Sequence, residues 1–159
     1  MVFRSVGSRL ALALLVIVTG VLAIVYVIVV PSFRHSLQNE ELRSLSSSLQ
    51  KVALPAFPAE FDLRAQYVNE LAPAADARVA VLDALSDTVL EPVADSNLDQ
   101  RSSDLEEDPI ALLALRRGAE ARGIVHRGGD EYAEVASPAP NEPRSVVLLA
   151  SPLRAQLQT

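Results

Sequence analysis

The stretch ARVAVLDALSDTVLEPVADS, residues 77–96, contains two β-rich segments on either side of a turn. The segments Arg78–Asp83 and Thr88–Val93 are rich in Val, and Ser86 and Asp87 lie between them. Ser and Asp favour turns because their short side chains bond nearby backbone amides. The pattern therefore predicts a β-hairpin, and with it a domain whose sheet is antiparallel.

A helix and three further strands are predicted after this hairpin. Asp108-Pro109 is typical of a helix start, because Asp caps the first backbone amides and proline is tolerated in the first turn. The helix is predicted over Pro109–Arg117 and ends at Gly118. Gly128-Gly129-Asp130 indicates a second hairpin. The predicted strands, in chain order, are Arg78–Asp83, Thr88–Val93, Gly123–Arg127, Glu131–Ser137 and Ser145–Ser151. A loop before the last strand is predicted from Pro138, Pro140 and Pro143.

Another helix is predicted upstream of the hairpin, over Ala59–Leu71. Pro55 and Pro58 precede it and Pro73 closes it, because proline interrupts a helix. Five strands with one helical excursion predict an α+β domain, in which helices pack on an antiparallel sheet. The residues of this helix that we expect to be buried are Phe61, Leu63, Tyr67, Val68 and Leu71.

Residues 10–30 read LALALLVIVTGVLAIVYVIVV and contain no charged side chain. As an α-helix, a run of this length extends roughly 31 Å, close to the hydrocarbon thickness of a bilayer. A cleaved signal peptide is the alternative, although signal cores are only about 7–15 residues long. We predict a retained transmembrane helix over Leu10–Val30. Residues 1–9 are then cytoplasmic and residues from 31 onward extracytoplasmic, because a long following domain is translocated largely regardless of its charge.

A coiled-coil spacing follows the apolar run. Leu42, Leu45, Leu49 and Val52 recur at steps of three, four and three residues, as in a coiled-coil seam. Residues 31–53 are therefore predicted to form a membrane-proximal helix with one buried stripe. The partner of that stripe is either the domain's own sheet or the same helix of a second chain. The second alternative makes the protein a homodimer.

The composition excludes several kinds of site. The chain has no Cys, which excludes disulfides, thiolate metal ligands and a Cys nucleophile. A net charge of −6 argues against a nucleic-acid-binding protein. The acidic run from Asp95 to Asp108 lacks the Gly and the final Glu of an EF-hand, and we interpret it as a solvated loop. A diffuse cation-binding face is the alternative. No catalytic residue, metal ligand or cofactor site is predicted in this chain.

The order of these elements resembles a known family. The chain begins with an apolar helix, a second helix and a strand pair. It continues with an acidic loop, a leucine-rich helix ending in Gly and a Gly-Gly hairpin. This order is similar to that of the extracytoplasmic PAS-like, Cache-type sensor region of bacterial two-component sensor histidine kinases. The residues that carry the resemblance are Arg78, Val79, Val81, Asp83, Val89, Leu90, Ala94, Asp95, Ser96, Pro109–Gly118 and Tyr132–Pro138.

The resemblance implies a division of the chain and a function. Residues 54–151 are expected to form a PAS-like sensor domain, and residues 152–159 to begin an exit helix towards a second membrane helix outside this sequence. The sensor would signal across the bacterial cell membrane to a kinase core that this chain lacks, and only that core would meet a response regulator. Two alternatives stay open: the sensor region of a chemoreceptor or membrane-bound cyclase, and a single-pass anchored protein with a structural domain.

The resemblance also implies a binding site. In the resembled domains small anionic ligands bind between the sheet and its covering helix, which here implicates Arg116, Arg117, Arg122 and His126. Guanidinium groups suit carboxylates because they donate two parallel hydrogen bonds. The alternative is that the arginines are solvated at the helix end, where they complement the helix dipole, and that His126 faces water.

Overall fold

The computed structural model describes residues 6–97 and 102–153. The chain divides into two compact units, Met1–Leu37 and Gln38–Thr159. The helices are α1 (Val6–Ser48), α2 (Arg64–Ala75) and α3 (Pro109–Arg117), with a π-helical turn at Leu49–Ala53 and 3₁₀ turns at Phe61–Leu63 and Ser102–Leu105. The strands are β1 (Arg78–Ala84), β2 (Leu90–Asp95), β3 (Ala121–Arg127), β4 (Asp130–Ala139) and β5 (Glu142–Pro152).

The first unit consists of the N-terminal part of α1. Its segment Ala11–Ile28 is long and apolar enough to cross a membrane, and none of its 18 residues is buried. It is the one such segment among the residues that the structure describes. A fully exposed aliphatic surface of this length is stable in hydrocarbon and not in water. The predicted N-terminal apolar helix is therefore present.

The second unit is built on one antiparallel sheet with the strand order β2-β1-β5-β4-β3. The central strand β5 pairs with β1 on one side and β4 on the other, so the edges are β2 and β3. Helices pack on both faces of the sheet. The predicted α+β class and five-stranded antiparallel sheet are confirmed.

Local turn chemistry explains how the strands are joined. Ser86 Oγ accepts a hydrogen bond from the Val89 amide at 3.1 Å in the β1–β2 hairpin. Gly128 and Gly129 have φ values of +58° and +90° in the β3–β4 hairpin, which a residue with a Cβ rarely adopts. The loop predicted from three prolines is wrong in extent. Pro138 lies at a register shift in β4 and Pro143 lies inside β5, because a strand tolerates proline at such irregular positions.

Two clusters of buried side chains hold helices on the two faces of the sheet. The α2 face includes Leu45, Leu49, Tyr67, Val68, Val79, Val81, Val135 and Leu149. The α3 face includes Ala80, Leu82, Ile110, Ala111, Leu112, Ala114, Ala136 and Leu148. Successive residues of a strand point to opposite faces, so β1 contributes Val79 and Val81 to one cluster and Ala80 and Leu82 to the other.

The helix α3 has the bounds and both ends that the sequence predicts. Asp108 Oδ1 accepts a hydrogen bond from the Ala111 amide at 2.6 Å and so caps the first turn. Gly118 ends the helix in a left-handed conformation with φ +62°. Gly123 of β3 lies directly under α3, since a Cβ there would approach Ile110 Cδ1 to 2.7 Å.

Two expectations for the upstream helix are wrong. Phe61 and Leu63 are 60% and 45% exposed, because they belong to a separate 3₁₀ turn to which an α-helical burial pattern does not apply. Pro73 does not close α2, which continues to Ala75 and ends at Asp76 with φ +48°. A proline near the C-terminus of a helix removes a single backbone hydrogen bond, and the helix can continue briefly beyond it. Tyr67, Val68 and Leu71 are buried as predicted.

The coiled-coil stripe has its partner within the same chain. Leu45 and Leu49 are 2% and 0% exposed and belong to the core of the α2 face. Leu42 is partly buried against that core, whereas Val52 is 46% exposed. Of the two alternative partners, the chain's own sheet therefore receives Leu45 and Leu49. A seam with a second chain stays a prediction. In this conformation Leu45 and Leu49 are not accessible to it, and only more exposed residues such as Val52 could contact the second chain.

Candidate functional site

The predicted ligand residues lie at separate places. Arg116 and Arg117 occupy the last turn of α3 with exposed side chains, and Arg116 Nε donates to the Leu112 carbonyl at 3.3 Å. Arg122 is exposed at the start of β3. His126, near the end of β3, is 71% exposed, and its Nε2 lies 3.1 Å from Glu131 Oε1 on β4. Arg116 and His126 line different clefts, and neither cleft is lined by Arg117 or Arg122.

The cleft beside Arg116, which we call the arginine cleft, has a volume of about 280 Å³. It lies between the last turns of α3, the β1–β2 turn and the start of β5. Leu112, Leu115 and Pro143 provide apolar walls, and the two guanidinium groups of Arg116 and Arg144 outnumber the single carboxylate, that of Asp87 in the turn. Arg144 Nη2 donates to the Ala84 carbonyl at 2.8 Å, which holds it at the cleft. Such a combination suits a small anion with an apolar part.

The sequence did not indicate Arg144 as a member of this site. Arg144 lies 28 positions after Arg116 in an apparently unrelated segment. The register that pairs Asp83 with Ser145 brings the start of β5 next to the β1–β2 turn. Pattern reasoning on one segment at a time cannot detect this neighbourhood.

The cleft beside His126, which we call the acidic cleft, has a volume of about 390 Å³. The residues that line it are Ser103, Asp104, Glu106, Glu107, Asp108, Pro109, Val125, His126 and Arg127. Within the part of the chain that the structure describes, no group of three His, Cys, Asp or Glu residues is arranged to hold a metal ion. Two of its carboxylates, Asp104 and Asp108, instead pair with arginines of the protein itself.

One of these partners is Arg78, which joins the acidic loop to the sheet. Arg78 Nη2 lies 2.5 Å from Asp95 Oδ2, and Arg78 Nη1 lies 2.8 Å from Asp104 Oδ2. Asp95 also accepts hydrogen bonds from the Asn97 amide and Ser102 Oγ, each at 2.9 Å. Burial by itself would raise the pKa of Asp95, but these hydrogen bonds and the Arg78 charge hold it below the usual range. Asp95 is therefore ionised at neutral pH.

A second, partly buried ion pair joins α2 to the start of β5. The Arg64 side chain is 5% exposed, pairs with Glu142, and places Nη1 3.5 Å from Asp83 Oδ1. Its guanidinium carbon lies 5.5 Å from the Phe57 ring centre and 5.0 Å from that of Phe61. These contacts explain why Phe61 is placed at the surface, since its ring covers the guanidinium group. The arrangement is structural, because both carboxylates already have a partner.

The most buried polar group of the sheet is Glu134 on β4. Its side chain is 0% exposed and forms an ion pair with Arg127 of β3, which also pairs with Asp108 at the start of α3. Burial first, and then the nearby Asp108, raise the pKa of Glu134 to about 9, although Arg127 opposes this shift. The sequence offered one signal for this site: Glu134 interrupts the strand segment YAEVA at a position that faces a helix.

No protein-family model matches the chain, and no curated protein is significantly similar to it. The function must therefore be argued from the arrangement of its own residues.

Proposed function

We propose that the chain is the membrane-anchored, extracytoplasmic sensing portion of a bacterial two-component sensor histidine kinase, with a PAS-like sheet domain. The observation that carries the proposal is the composition of α1. This one helix contains the membrane-length segment Ala11–Ile28 and, near its end, the buried core residue Leu45. Leu49 follows in the adjoining turn and is also in the core. A change in the packing of the sheet core therefore changes the contacts of the C-terminal end of α1.

The signal would act as a shift between two packings of the sheet and its helices. A ligand shifts such an equilibrium by as much as its affinity differs between the two states, and a few kcal/mol are sufficient. The arginine cleft is the proposed ligand site, with Arg116 retained from the predicted residues and Arg144 added. Its position supports this role, because it touches α3, the β1–β2 turn and β5, and β5 is the central strand. The ligand class is a small carboxylate with an apolar part.

The coding sequence after Thr159 tests the proposed function. We expect a second apolar segment of about 20 residues, then a helical linker and a kinase core with a phosphate-accepting histidine. A cyclase domain or a chemoreceptor signalling domain after Thr159 would instead assign the protein to that class of receptor. A stop codon would favour the alternative of an anchored structural domain and contradict the proposal.

A thermal-shift experiment tests the proposed ligand class. The full chain in detergent is heated with a panel of small mono- and dicarboxylates. A ligand at about 100 times its Kd stabilises the folded state by roughly 2.7 kcal/mol, which is readily measured. The shift should disappear in Arg116→Ala and Arg144→Ala and persist in the matched control Arg117→Ala, which lies outside the arginine cleft. If the melting temperature still rises with the ligand in both cleft variants, the ligand binds outside this cleft.

A further inference from the structure

Three charged groups meet where α3 begins on the sheet. Asp108 caps α3 with Oδ1, and its other oxygen, Oδ2, accepts a hydrogen bond from Arg127 of β3. Arg127 also pairs with Glu134, the next strand's glutamate. The side chains of Asp108 and Glu134 are 0% exposed and that of Arg127 is 13% exposed. The group therefore contains two acidic side chains and one cation in a place largely removed from water.

The charges of this group balance only if one carboxyl group keeps its proton. With both carboxylates ionised, one guanidinium faces two negative charges, and burial of an uncompensated charge is strongly unfavourable. The negative charge is more stable on Asp108, since it lies at the N-terminus of α3 and accepts the Ala111 amide. The proton therefore belongs on Glu134, to whose oxygens no backbone amide or hydroxyl group of the described residues donates.

We infer that Asp108, Arg127 and Glu134 form a one-proton site that fixes the start of α3 to the sheet, and that loss of the proton releases this end of the helix. The sheet domain would bind this proton and move the start of α3 in any receptor or anchored protein, whether or not it is a sensor.

Among the residues that the structure describes, Arg127 is the one cation that pairs with either carboxyl group. In the strand register, Glu134 faces Gly123 of β3 and Ala150 of β5, neither of which carries a charge. The residue next to Arg127 on β3, His126, is exposed and pairs with Glu131. The loop before α3 contributes further acids to the acidic cleft, namely Asp104, Glu106 and Glu107. Asp104 is already paired with Arg78. Besides burial, the acid that raises the pKa of Glu134 is Asp108.

Water has a route to the site. Arg127 lines the acidic cleft and is 13% exposed there, while the buried carboxyl groups of Asp108 and Glu134 lie behind its guanidinium group. If Glu134 ionises, the simplest relief is a movement of the start of α3 that lets water reach both carboxylates. Gly123 makes α3 lie close to β3, so a small movement is enough to open this contact.

Urea unfolding of the full chain in detergent, at a series of pH values, tests the site. The pKa of Glu134 is about 9 in the folded state and near 4.5 when unfolded, so its protonation stabilises the fold most at low pH. The stability is lost as pH rises towards the folded-state pKa. Between pH 6 and pH 8 the unfolding constant of the wild type should therefore rise more steeply than that of Glu134→Gln. The difference between the two slopes should be up to about tenfold per pH unit. Glu91→Gln, an exposed glutamate on β2, is the matched control and should keep the wild-type slope.

Trypsin cleavage reports whether α3 itself is released. Arg116 and Arg117 lie within the last turn of α3, where a folded helix protects the chain from cleavage. At pH 9 the wild type and Glu91→Gln should be cut after these residues severalfold faster than Glu134→Gln at the same pH. Equal cleavage of all three proteins, or equal pH slopes in wild type and Glu134→Gln, would overturn the inference.

A measurement on the wild type alone covers the case in which Glu134→Gln does not fold. Infrared spectroscopy at pH 7 should show the C=O stretch of one protonated carboxyl group, which disappears as the pH rises past about 9. Absence of a protonated carboxyl group at pH 7 would overturn the inference.

Discussion

The substitution Leu49→Ala tests whether the end of the N-terminal helical segment is part of the sheet core. Leu49 is completely buried among the residues of the α2 face, including Val135 and Leu149. Replacing a fully buried leucine by alanine costs roughly 2–5 kcal/mol, because apolar contacts are lost and a cavity is left. Such a loss is a large part of the total stability of a domain, about 5–15 kcal/mol.

The assay is urea unfolding of the full chain in detergent, followed by circular dichroism. With a slope of about 1–3 kcal/mol per molar urea, a loss of about 3 kcal/mol lowers the midpoint by roughly 1–3 M. The matched control is Val52→Ala, three residues later. Because Val52 is 46% exposed, its substitution should change stability by less than about 1 kcal/mol.

Protein concentration separates the two possible partners of Leu49. If Leu49 packs only on its own sheet, the loss is the same at every concentration. If it lined a seam between two chains, the midpoint would depend on concentration, because association stabilises the folded state by mass action. Equal effects of Leu49→Ala and Val52→Ala, or a loss that appears only at high concentration, would refute the packing described above.

Two further substitutions test the loop and the α3 face. Asp95→Asn should destabilise the fold by about 1–3 kcal/mol at neutral pH, because the carboxylate accepts charged hydrogen bonds from Arg78 and one from Ser102. Since the pKa of Asp95 is lowered in the folded state, this loss should be full at neutral pH and should shrink as the pH falls through that lowered pKa, which denaturation at several pH values would show. A loss that grows as the pH falls would contradict the assignment. Gly123→Ala should cost less than about 1 kcal/mol in a thermal melt, because the new methyl group meets only the end of the Ile110 side chain, Cδ1, at 2.7 Å, and that end can rotate away. A loss of more than about 3 kcal/mol would show that Ile110 is fixed and that α3 is displaced.

Much of the fold follows from signals that lie within a few residues of one another. The segment from Asp108 to Gly118 contains its own start and stop signals, so α3 has the predicted bounds. The Gly-Gly turn places β3 and β4 side by side, and the valines of β1 and β5 mark them as strands. Such signals act through backbone conformation and short hydrogen bonds, and do not need the rest of the molecule.

The candidate sites depend on long-range pairing and could not be predicted in the same way. Arg127 and Asp108 are 19 positions apart and meet only because α3 lies across β3. Glu134 was assigned to a strand, but its burial depends on which helix covers that face. Phe61 was expected in the core, yet its ring covers Arg64, whose carboxylate partners come from β1 and the start of β5. The four residues of the predicted anion site do not meet for the same reason: Arg116 is at the C-terminal end of α3, whereas His126 lines the cleft at the other end of that helix, beside Asp108 and Pro109.

The central claim is that an uncleaved helix anchors a domain on the outer side of the membrane, and labelling of single cysteines tests it most directly. The chain has no Cys of its own, so Ser103→Cys and Ser5→Cys each provide one reactive thiol. Ser103 is exposed in the sheet unit, and position 5 precedes the apolar segment. A membrane-impermeant maleimide should label Ser103→Cys in intact cells and Ser5→Cys only after lysis, on a chain that has kept its N-terminal segment. Labelling of Ser103→Cys only after lysis, or a labelled chain that has lost its N-terminal segment, would contradict the account.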